Sequence, residues 1–277
     1  MSRGAGAAPF GPLPSPFDAV ARTYDRRFTQ HPLGRTLRAA VWRHLDAAFA
    51  PGASVLDLGC GTGADAVHLA LRGVDVVAVD ASAAMLDVAR ERIAAAGVAD
   101  RVRLVHAPIE ALRRVGLASG SLDGALANFG SLNAIAPADL PLLGRDLGRC
   151  VRGNGAFIAV VMGPLCAWET GWYLARRDPR RAFRRWRRGG VTADLGAGPF
   201  TVRYPSVRTL ARAAAPSFRL VGAVAVGCVV PPTYAGGWLV ERPRLLRWLT
   251  ALDRQIAHRS LAVAFADHYL ARLGRTP

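Results

Sequence analysis

A glycine-rich segment follows a run of apolar residues and has the sequence VLDLGCGTGADA (residues 55–66). Gly59, Gly61 and Gly63 can adopt backbone conformations that other residues rarely reach, and they let a ligand approach the bare main chain. The helix predicted after them presents free N–H groups at its first turn, which suit a polar or anionic ligand. The pattern therefore predicts a strand–loop–helix unit whose loop binds a nucleotide-like molecule.

Two aspartates accompany this segment. Asp57 stands two residues before the first glycine, where its carboxylate can meet a cationic or N–H-rich group. Asp80 ends the next predicted strand in the sequence VVAVDAS. An acid about 20 residues beyond such a loop accepts hydrogen bonds from ribose hydroxyls in nucleotide-binding folds. The two acids therefore favour a nucleoside ligand.

The spacing of apolar residues predicts strands and helices in alternation, which is typical of a parallel sheet with helices on both faces. The predicted strands of the central part are residues 54–58, 74–79, 102–106, 122–128 and 156–162. The helices predicted around them are residues 17–28, 33–49, 64–72, 82–96 and 138–151. In the last third the pattern predicts helices at 207–214 and around 238–257, and strands at 220–230 and 265–273.

The length of 277 residues and the apolar fraction of 51% predict one folded domain after a loose tail. The tail is residues 1–16, which are rich in glycine, proline and alanine and lack the apolar stretch of a secretion signal. The domain is residues 17–277, and no apolar run in it is long enough to span a bilayer. Its predicted parts are a helical lid (17–50), a cofactor-binding core (51–165), a cap insertion (166–206) and a C-terminal part of the sheet with a helical insertion (207–277).

The charge is strongly positive at +16, and every basic side chain apart from histidine is arginine. Codon bias in a GC-rich genome can account for the choice of arginine over lysine, but not for the excess over acids. The excess leaves an anionic substrate, a membrane surface and nucleic acid open as partners. The four cysteines lie far apart without a C-x-x-C pair, which argues against a metal site and favours a reducing cytoplasm.

These motifs resemble those of a known family. The sequences VLDLGCGTG and VVAVDASAAML resemble motif I and the following acidic motif of the class I S-adenosylmethionine-dependent methyltransferases. The sequence FDAVARTYDRRF resembles the N-terminal helix that covers their cofactor. The fingerprint of NAD-binding proteins differs, because Ala66 occupies the place of its last glycine. The resemblance covers residues 17–165 well and the rest more loosely.

The resemblance implies a Rossmann-like doubly wound α/β sheet of seven strands, mostly parallel with an antiparallel edge strand, with a helical N-terminal lid and helical cap insertions. It also implies S-adenosyl-L-methionine as cofactor, S-adenosyl-L-homocysteine as product and no metal. Asp57 would lie near the ammonium group of the cofactor, and Asp80 would hold its ribose. The cofactor-binding residues implied are Tyr24, Asp57, Gly59, Cys60, Gly61, Gly63, Asp80, Ala81, Met85, Pro108, Ile109 and Asn128. Plain core packing remains an alternative for Met85 and Ile109, and a surface position for Tyr24.

Methyl transfer requires alignment of the acceptor with the methyl group, and a base where the acceptor starts protonated. His31 in the lid and Glu169 after the fifth strand are candidates for that base, and Asn128 is the candidate beside the methyl group. His106 is a further candidate base, whereas His258 and His268 lie in the less clearly predicted tail. Each of these side chains can equally well be structural.

The acceptor is predicted by elimination to be a small or lipophilic molecule. The fourth strand continues as NFGSLN and lacks the N-P-P-Y sequence of amino methyltransferases that act on nucleic acids, which argues against a nucleic-acid acceptor. Residues 176–188 alternate arginines with aromatic residues. They are interpreted as a solvated cap helix, as a peripheral contact with an anionic membrane, or as a contact with an anionic substrate.

The sequence therefore predicts a cytoplasmic methyltransferase of small molecules. Two alternatives stay open: a lipid or quinone-type methyltransferase at a membrane surface, and a cofactor-binding protein without catalysis. The sequence leaves the acceptor atom and the oligomeric state open.

Overall fold

Aliphatic and β-branched residues form the strands at the centre of the fold, as is typical of strands buried on both faces. The computed structural model describes residues 15–277, so most of the predicted tail lies outside the described residues. Seven strands form one sheet in the order β3-β2-β1-β4-β5-β9-β8, and two more form a separate hairpin. The strands are β1 Ser54–Leu58, β2 Asp75–Asp80, β3 Val102–His106, β4 Leu122–Ala127, β5 Val151–Met162, β6 Val191–Asp194, β7 Pro199–Val202, β8 Phe218–Val226 and β9 His268–Arg275.

The predicted sheet is confirmed, but the position of its antiparallel strand differs from the expectation. Strand β9 pairs antiparallel with both β5 and β8. The edge strand β8 therefore runs in the same direction as β1 to β5, and the reversed strand lies one place inside the edge. The last strand of the chain lies between β5 and β8, which both precede it in the sequence. The order of strands in the sheet therefore differs from their order along the chain.

Helices cover both faces of the sheet. They are α1 Ala21–Tyr24, α2 Pro32–Ala48, α3 Ala64–Leu71, α4 Ala83–Ala95, α5 Leu140–Cys150, α6 Ala167–Leu174, α7 Pro179–Ala182, α8 Val207–Ala214, α9 Pro243–Ile256 and α10 Ser260–Phe265. Leu56, Phe157 and Tyr269 belong to the core on one face, and Val55 and Ile158 belong to the core on the other. No helix among residues 15–277 is long and apolar enough to cross a membrane.

The lid departs from the single helix predicted at residues 17–28. A 3₁₀ turn at Asp18–Val20, the short helix α1 and a π-helical turn at Asp25–Thr29 replace it. The chain then turns sharply into α2, whose residue Gly34 lies against the backbone of Phe28. A Cβ atom on Gly34 would lie 1.8 Å from the Phe28 carbonyl oxygen. Glycine at position 34 therefore permits the close approach of the lid to α2.

The cap also departs from the sequence prediction, because residues 176–188 do not form one basic helix. Asp178 accepts a hydrogen bond from the Arg181 N–H at 3.0 Å and starts the short helix α7. A 3₁₀ turn at Arg184–Trp186 follows. Strands β6 and β7 then form an antiparallel hairpin that was not predicted. A proline at the start of α7 and two glycines at 189–190 account for these breaks.

A buried ion network holds the cap to the sheet. Glu169 of α6 accepts hydrogen bonds from Arg184 at 2.8 Å, from Arg185 at 3.0 Å and from the Tyr234 hydroxyl at 2.6 Å. Arg185 also donates to Asp267, just before β9, at 2.6 Å. Burial alone would raise the pKa of Glu169, but the hydrogen bonds from Arg184 and the charge and hydrogen bonds of Arg185 outweigh it and lower that pKa. Two arginines of the predicted solvated block are thus structural.

We expect Arg185→Ala to lower the free energy of unfolding by about 3–5 kcal/mol, because it leaves the carboxylates of Glu169 and Asp267 buried without their shared partner. Urea unfolding followed by circular dichroism measures this change. Arg188→Ala is the matched control, since Arg188 is exposed and such changes cost about 0.5 kcal/mol or less. Equal unfolding midpoints for the two variants would contradict the structural role of Arg185.

Candidate functional site

A cavity of about 560 Å³ opens at the carboxyl ends of the central strands. Strand β1 pairs with β2 on one side and with β4 on the other, so the strand order reverses at this point. Ligands of open α/β sheets bind at such a reversal. The cavity-lining residues on the sheet side are Gly59, Cys60, Gly61, Thr62, Ala64, Asp65, Asp80, Ala81, Met85, Pro108, Ile109, Glu110, Asn128, Phe129, Gly130, Ser131, Ala134, Ile135 and Met162.

The glycine-rich segment forms the floor of the cavity. Gly59, Gly61 and Gly63 all have positive φ angles, of +69°, +53° and +74°. A Cβ atom on Gly59 would lie 2.6 Å from the Cβ of Ser131, so a side chain would clash there. Gly63 is placed differently, because it faces Ala89 of α4 and lies outside the cavity lining. Two of the three predicted glycines therefore offer backbone to a ligand, and the third allows the close packing of α3 and α4.

Asp80 lies at the end of β2 and faces the cavity. One of its carboxylate oxygens accepts a hydrogen bond from the Gly61 N–H at 2.8 Å, and the other accepts one from the Ser82 N–H at 2.8 Å. Burial raises its pKa, although these hydrogen bonds act against the rise. A carboxylate has about four lone-pair sites, so two remain for a ligand. Asp80 therefore fixes the glycine loop and can still accept hydrogen bonds from hydroxyl groups.

A network of buried polar side chains beside the cavity was not predicted from the sequence. Asp65 accepts hydrogen bonds from Arg38 at 2.5 Å, from Trp42 at 2.7 Å and from Asn128 at 2.9 Å. The guanidinium of Arg38 lies between two aromatic rings, 5.6 Å from the centroid of Phe28 and 5.1 Å from that of Phe129. Burial would lower the pKa of Arg38, but the charge of Asp65 outweighs it and raises that pKa. The sequence signal that could have indicated this network is the position of Arg38 on the otherwise apolar face of α2.

Three buried polar atoms near the cavity have no hydrogen-bond partner among residues 15–277: Nε of Arg38, Oδ1 of Asn128 and Oδ2 of Asp57. Arg38 and Asn128 line the cavity, whereas Asp57 lies behind it and is 1% exposed. Burial and the charge of Asp65 raise the pKa of Asp57 well above its usual value. Unpartnered buried groups are rare in proteins, so these three atoms set this part of the structure apart from the apolar core around it.

The lid closes one side of the cavity, and ion pairs hold it there. Asp25 accepts a hydrogen bond from the Thr62 hydroxyl of the glycine loop at 2.8 Å and pairs with Arg92 of α4. Asp18 accepts a hydrogen bond from the Ser82 hydroxyl at 2.5 Å. Tyr24 lies between these contacts and lines the cavity, and burial raises its pKa. The N-terminal residues that line the cavity on this side are Ser15, Pro16, Phe17, Tyr24 and Arg38.

The far wall of the cavity is apolar and comes from the cap hairpin. Leu195, Phe200 and Val202 line it, and the ring of Phe200 lies 5.4 Å from that of Phe17 in the lid. Backbone and side-chain hydrogen bonds between Asn133 and Arg203 attach the hairpin to the loop after β4. The cavity therefore has a polar part over the glycine loop and an apolar part under the hairpin.

Three of the candidate bases lie outside the cavity lining. His31 caps α2, and its Nδ1 accepts a hydrogen bond from the Leu33 N–H at 3.3 Å. Glu169 is 1% exposed and holds the cap, so its proposed action on the acceptor stays a prediction that its position does not support. His106 contacts the Ala81 carbonyl oxygen at 3.0 Å. The side chain of His31 serves the helix end, and a catalytic role for it also stays a prediction.

Comparisons with known proteins agree with this geometry. A model of the methyltransferase domain family matches residues 55–155. A demethylmenaquinone methyltransferase of Clavibacter sepedonicus is 37% identical over 130 residues, which are 46% of this chain and 49% of that protein. The chain thus spans about half the length of this curated relative.

A longer match and a solved structure extend the similarity. A demethylmenaquinone methyltransferase of Mycobacterium marinum is 31% identical over 175 residues, which are 61% of this chain and 68% of that protein. The structure of the CcbJ methyltransferase from Streptomyces caelestis superposes with a TM-score of 0.62 at 18% identity, and the match covers 97% of this chain and 100% of that one. With the glycine loop, Asp80 and the reversal of strand order in one cavity, the chain belongs to the class I S-adenosylmethionine-dependent methyltransferases.

Proposed function

We propose that this chain binds S-adenosylmethionine in the polar part of the cavity and transfers its methyl group to a small lipophilic acceptor in the apolar part. The single observation that carries the proposal is the continuity of the two parts: Asp80 and Gly61 lie in the same cavity as Phe200 and Val202. In the transfer, the acceptor atom forms a bond to the methyl carbon while the bond from that carbon to sulfur breaks. The chain would accelerate this displacement by alignment.

The residues of the polar part fit the cofactor group by group. The two free lone-pair sites of Asp80 suit the ribose hydroxyls, and Met85 and Ile109 offer apolar contacts to the adenine ring. The methionine end carries a carboxylate and an ammonium group. We assign the methionine end to the part of the cavity lined by Arg38 and Asn128, a cationic side chain and an amide. Arg38 was not among the predicted residues, and it lines the cavity where Asp57 does not.

The other predicted cofactor-binding residues remain proposals, and some of them line the cavity whereas others lie behind its lining. Backbone of Gly59, Cys60 and Gly61 borders the cavity and suits the methionine and ribose portions. Gly63 and Asp57 act from behind that border, by shaping the loop and by charge. Pro108 and Ala81 line the adenine end, and Tyr24 lines the lid side.

The acceptor part favours an uncharged, flat or chain-like apolar molecule. Its walls are Ile135, Met162, Leu195, Phe200 and Val202, so a charged group would lose its hydration there without a partner. The arginines of residues 176–188 are not among the described residues that line the cavity. The cavity lining therefore does not support the interpretation that residues 176–188 contact an anionic substrate. A quinone-type acceptor, as named for the two demethylmenaquinone methyltransferases above, is the finer proposal.

A labelled cofactor tests the proposed reaction directly. With S-adenosylmethionine labelled in its methyl group and a panel of apolar phenols and hydroquinones, we expect label in the organic extract and S-adenosylhomocysteine in the water phase. Calorimetry is expected to show binding of both sulfur nucleosides and none of NAD. Binding without label transfer to any acceptor or to a cell extract would favour the alternative of a cofactor-binding protein without catalysis.

Asp80 is proposed to hold the ribose of the cofactor. Hydrogen bonds to a charged acceptor contribute about 1.5–3 kcal/mol, so Asp80→Ala is expected to weaken S-adenosylhomocysteine binding by about tenfold to a hundredfold in calorimetry. Asp87→Ala is the matched control, because Asp87 lies on the exposed side of α4 and pairs with Arg90. If Asp80→Ala folds normally and binds as tightly as the control, the ribose is held elsewhere.

The apolar wall is proposed to bind the acceptor. Phe200→Ala removes half-buried apolar surface from the acceptor part, so it is expected to raise KM for a lipophilic acceptor by roughly tenfold. Binding of S-adenosylhomocysteine is expected to stay unchanged. Thr201→Ala is the control, because successive residues of a strand point to opposite faces and Thr201 is outside the cavity lining. An unchanged KM with altered cofactor binding would place Phe200 at the cofactor instead.

A further inference from the structure

Helix α9 presents an outer face that combines arginines with an exposed tryptophan. Leu245, Leu246 and Leu249 pack the inner side of the helix against the sheet core. The residues on the opposite side recur at intervals of three and four and are exposed. We name this the α9 face, and its residues are Arg244, Arg247, Trp248, Ala251, Arg254 and Gln255. The side chain of Trp248 lies in the middle of the face and is 62% exposed.

The positive charges of the α9 face have no ion-pair partners in the part of the chain that the structure describes. None of its three arginines takes part in a salt bridge among residues 15–277. The acid of the helix, Asp253, points inward and accepts hydrogen bonds from the N–H groups of residues 228–230. Glu241 is exposed but precedes the helix. The face therefore carries about three uncompensated charges.

A further cation lies beside this face. Burial lowers the pKa of Arg43 on α2, and the nearby charge of Arg254 lowers it further. Like charges that gather repel one another, and a polyanion relieves that repulsion. The complementary partner of the α9 face therefore presents many negative charges across a surface, because the helix of 14 residues is about 21 Å long.

The exposed aromatic residues decide between kinds of polyanion. Tryptophan is enriched where proteins meet lipid headgroups, because its ring is apolar and its N–H is polar. Trp238 and Val240, just before α9, are also exposed, by 41% and 40%. Contacts with the phosphate groups of a nucleic-acid duplex would use the arginines but would leave these apolar side chains in water. A lipid surface uses both.

We propose that the α9 face docks this protein on an anionic phospholipid surface. The arginines contact the phosphate groups, and Trp248 inserts its ring at the headgroup level. The contact lies on an element distinct from residues 176–188, where the sequence suggested a membrane contact. Arg184 and Arg185 of that block are engaged in the buried network with Glu169. The proposal does not depend on methyl transfer, since the α9 face lies outside the residues that line the cavity.

Sedimentation with vesicles tests the proposal on the full chain. We expect the protein to sediment with vesicles of phosphatidylglycerol and phosphatidylcholine at low salt, less at high salt, and not with phosphatidylcholine alone. Each arginine near such a surface strengthens binding about fivefold at low salt. The triple variant Arg244→Gln, Arg247→Gln, Arg254→Gln is therefore expected to bind about a hundredfold more weakly. Trp248→Ala is expected to weaken binding at both salt concentrations.

A matched triple variant controls for net charge. Arg145→Gln, Arg208→Gln, Arg212→Gln removes three exposed arginines from α5 and α8, which pack on the other face of the sheet. This control is expected to sediment like the unchanged protein. Circular dichroism and S-adenosylhomocysteine binding, measured on all variants, report whether each one folds.

Three outcomes would overturn the proposal. The first is equal loss of sedimentation in the α9 variant and the matched control, which would mean that net charge alone acts. The second is loss in a variant with Arg180→Gln, Arg187→Gln and Arg188→Gln but not in the α9 variant, which would place the contact on the cap. The third is binding of a DNA duplex by the α9 face with no sedimentation on either kind of vesicle.

Discussion

The geometry of the loop after β1 is the constraint on which the site depends. The chain must leave the central strand at the point where the strand order reverses, and it does so through three residues of positive φ. The clash that a side chain on Gly59 would make with Ser131 shows how closely the loop after β4 approaches. Asp80 accepts the Gly61 N–H and so fixes the loop from the neighbouring strand. Strand order, loop conformation and the carboxylate thus depend on one another.

Buried charges hold the two covers of the cavity. In the lid, Asp25 binds Thr62 and Arg92, and Arg38 binds Asp65 beneath it. In the cap, Glu169 and Asp267 enclose Arg185. Burying such pairs costs desolvation free energy, and the loss of one partner leaves an uncompensated charge. Both covers are therefore sensitive to a single substitution, while the sheet between them relies on apolar packing.

The sequence predicted the part of the fold that local pattern determines. The first five strands, their helices and the positions of Gly61, Asp80, Met85 and Ile109 in one cavity follow from periodicity and a specific motif. The pattern did not predict the insertion of β9 or the docking of the hairpin on the loop after β4, because these depend on contacts between distant residues. The pattern did not predict the burial of Glu169 for the same reason. The side chain of Glu169 has partners that only the folded chain brings near, such as Tyr234, whereas His31 caps its own helix through a contact with Leu33.

The hairpin β6–β7 has a consequence for how this architecture can change over time. It supplies much of the apolar wall and is attached through Asn133 and through the contact of Phe200 with the lid. It contributes no strand to the main sheet. Its residues can therefore be replaced, lengthened or shortened without disturbing the glycine loop or Asp80. The apolar wall and the glycine loop thus belong to separate sheets, so the shape of the one can change independently of the backbone of the other.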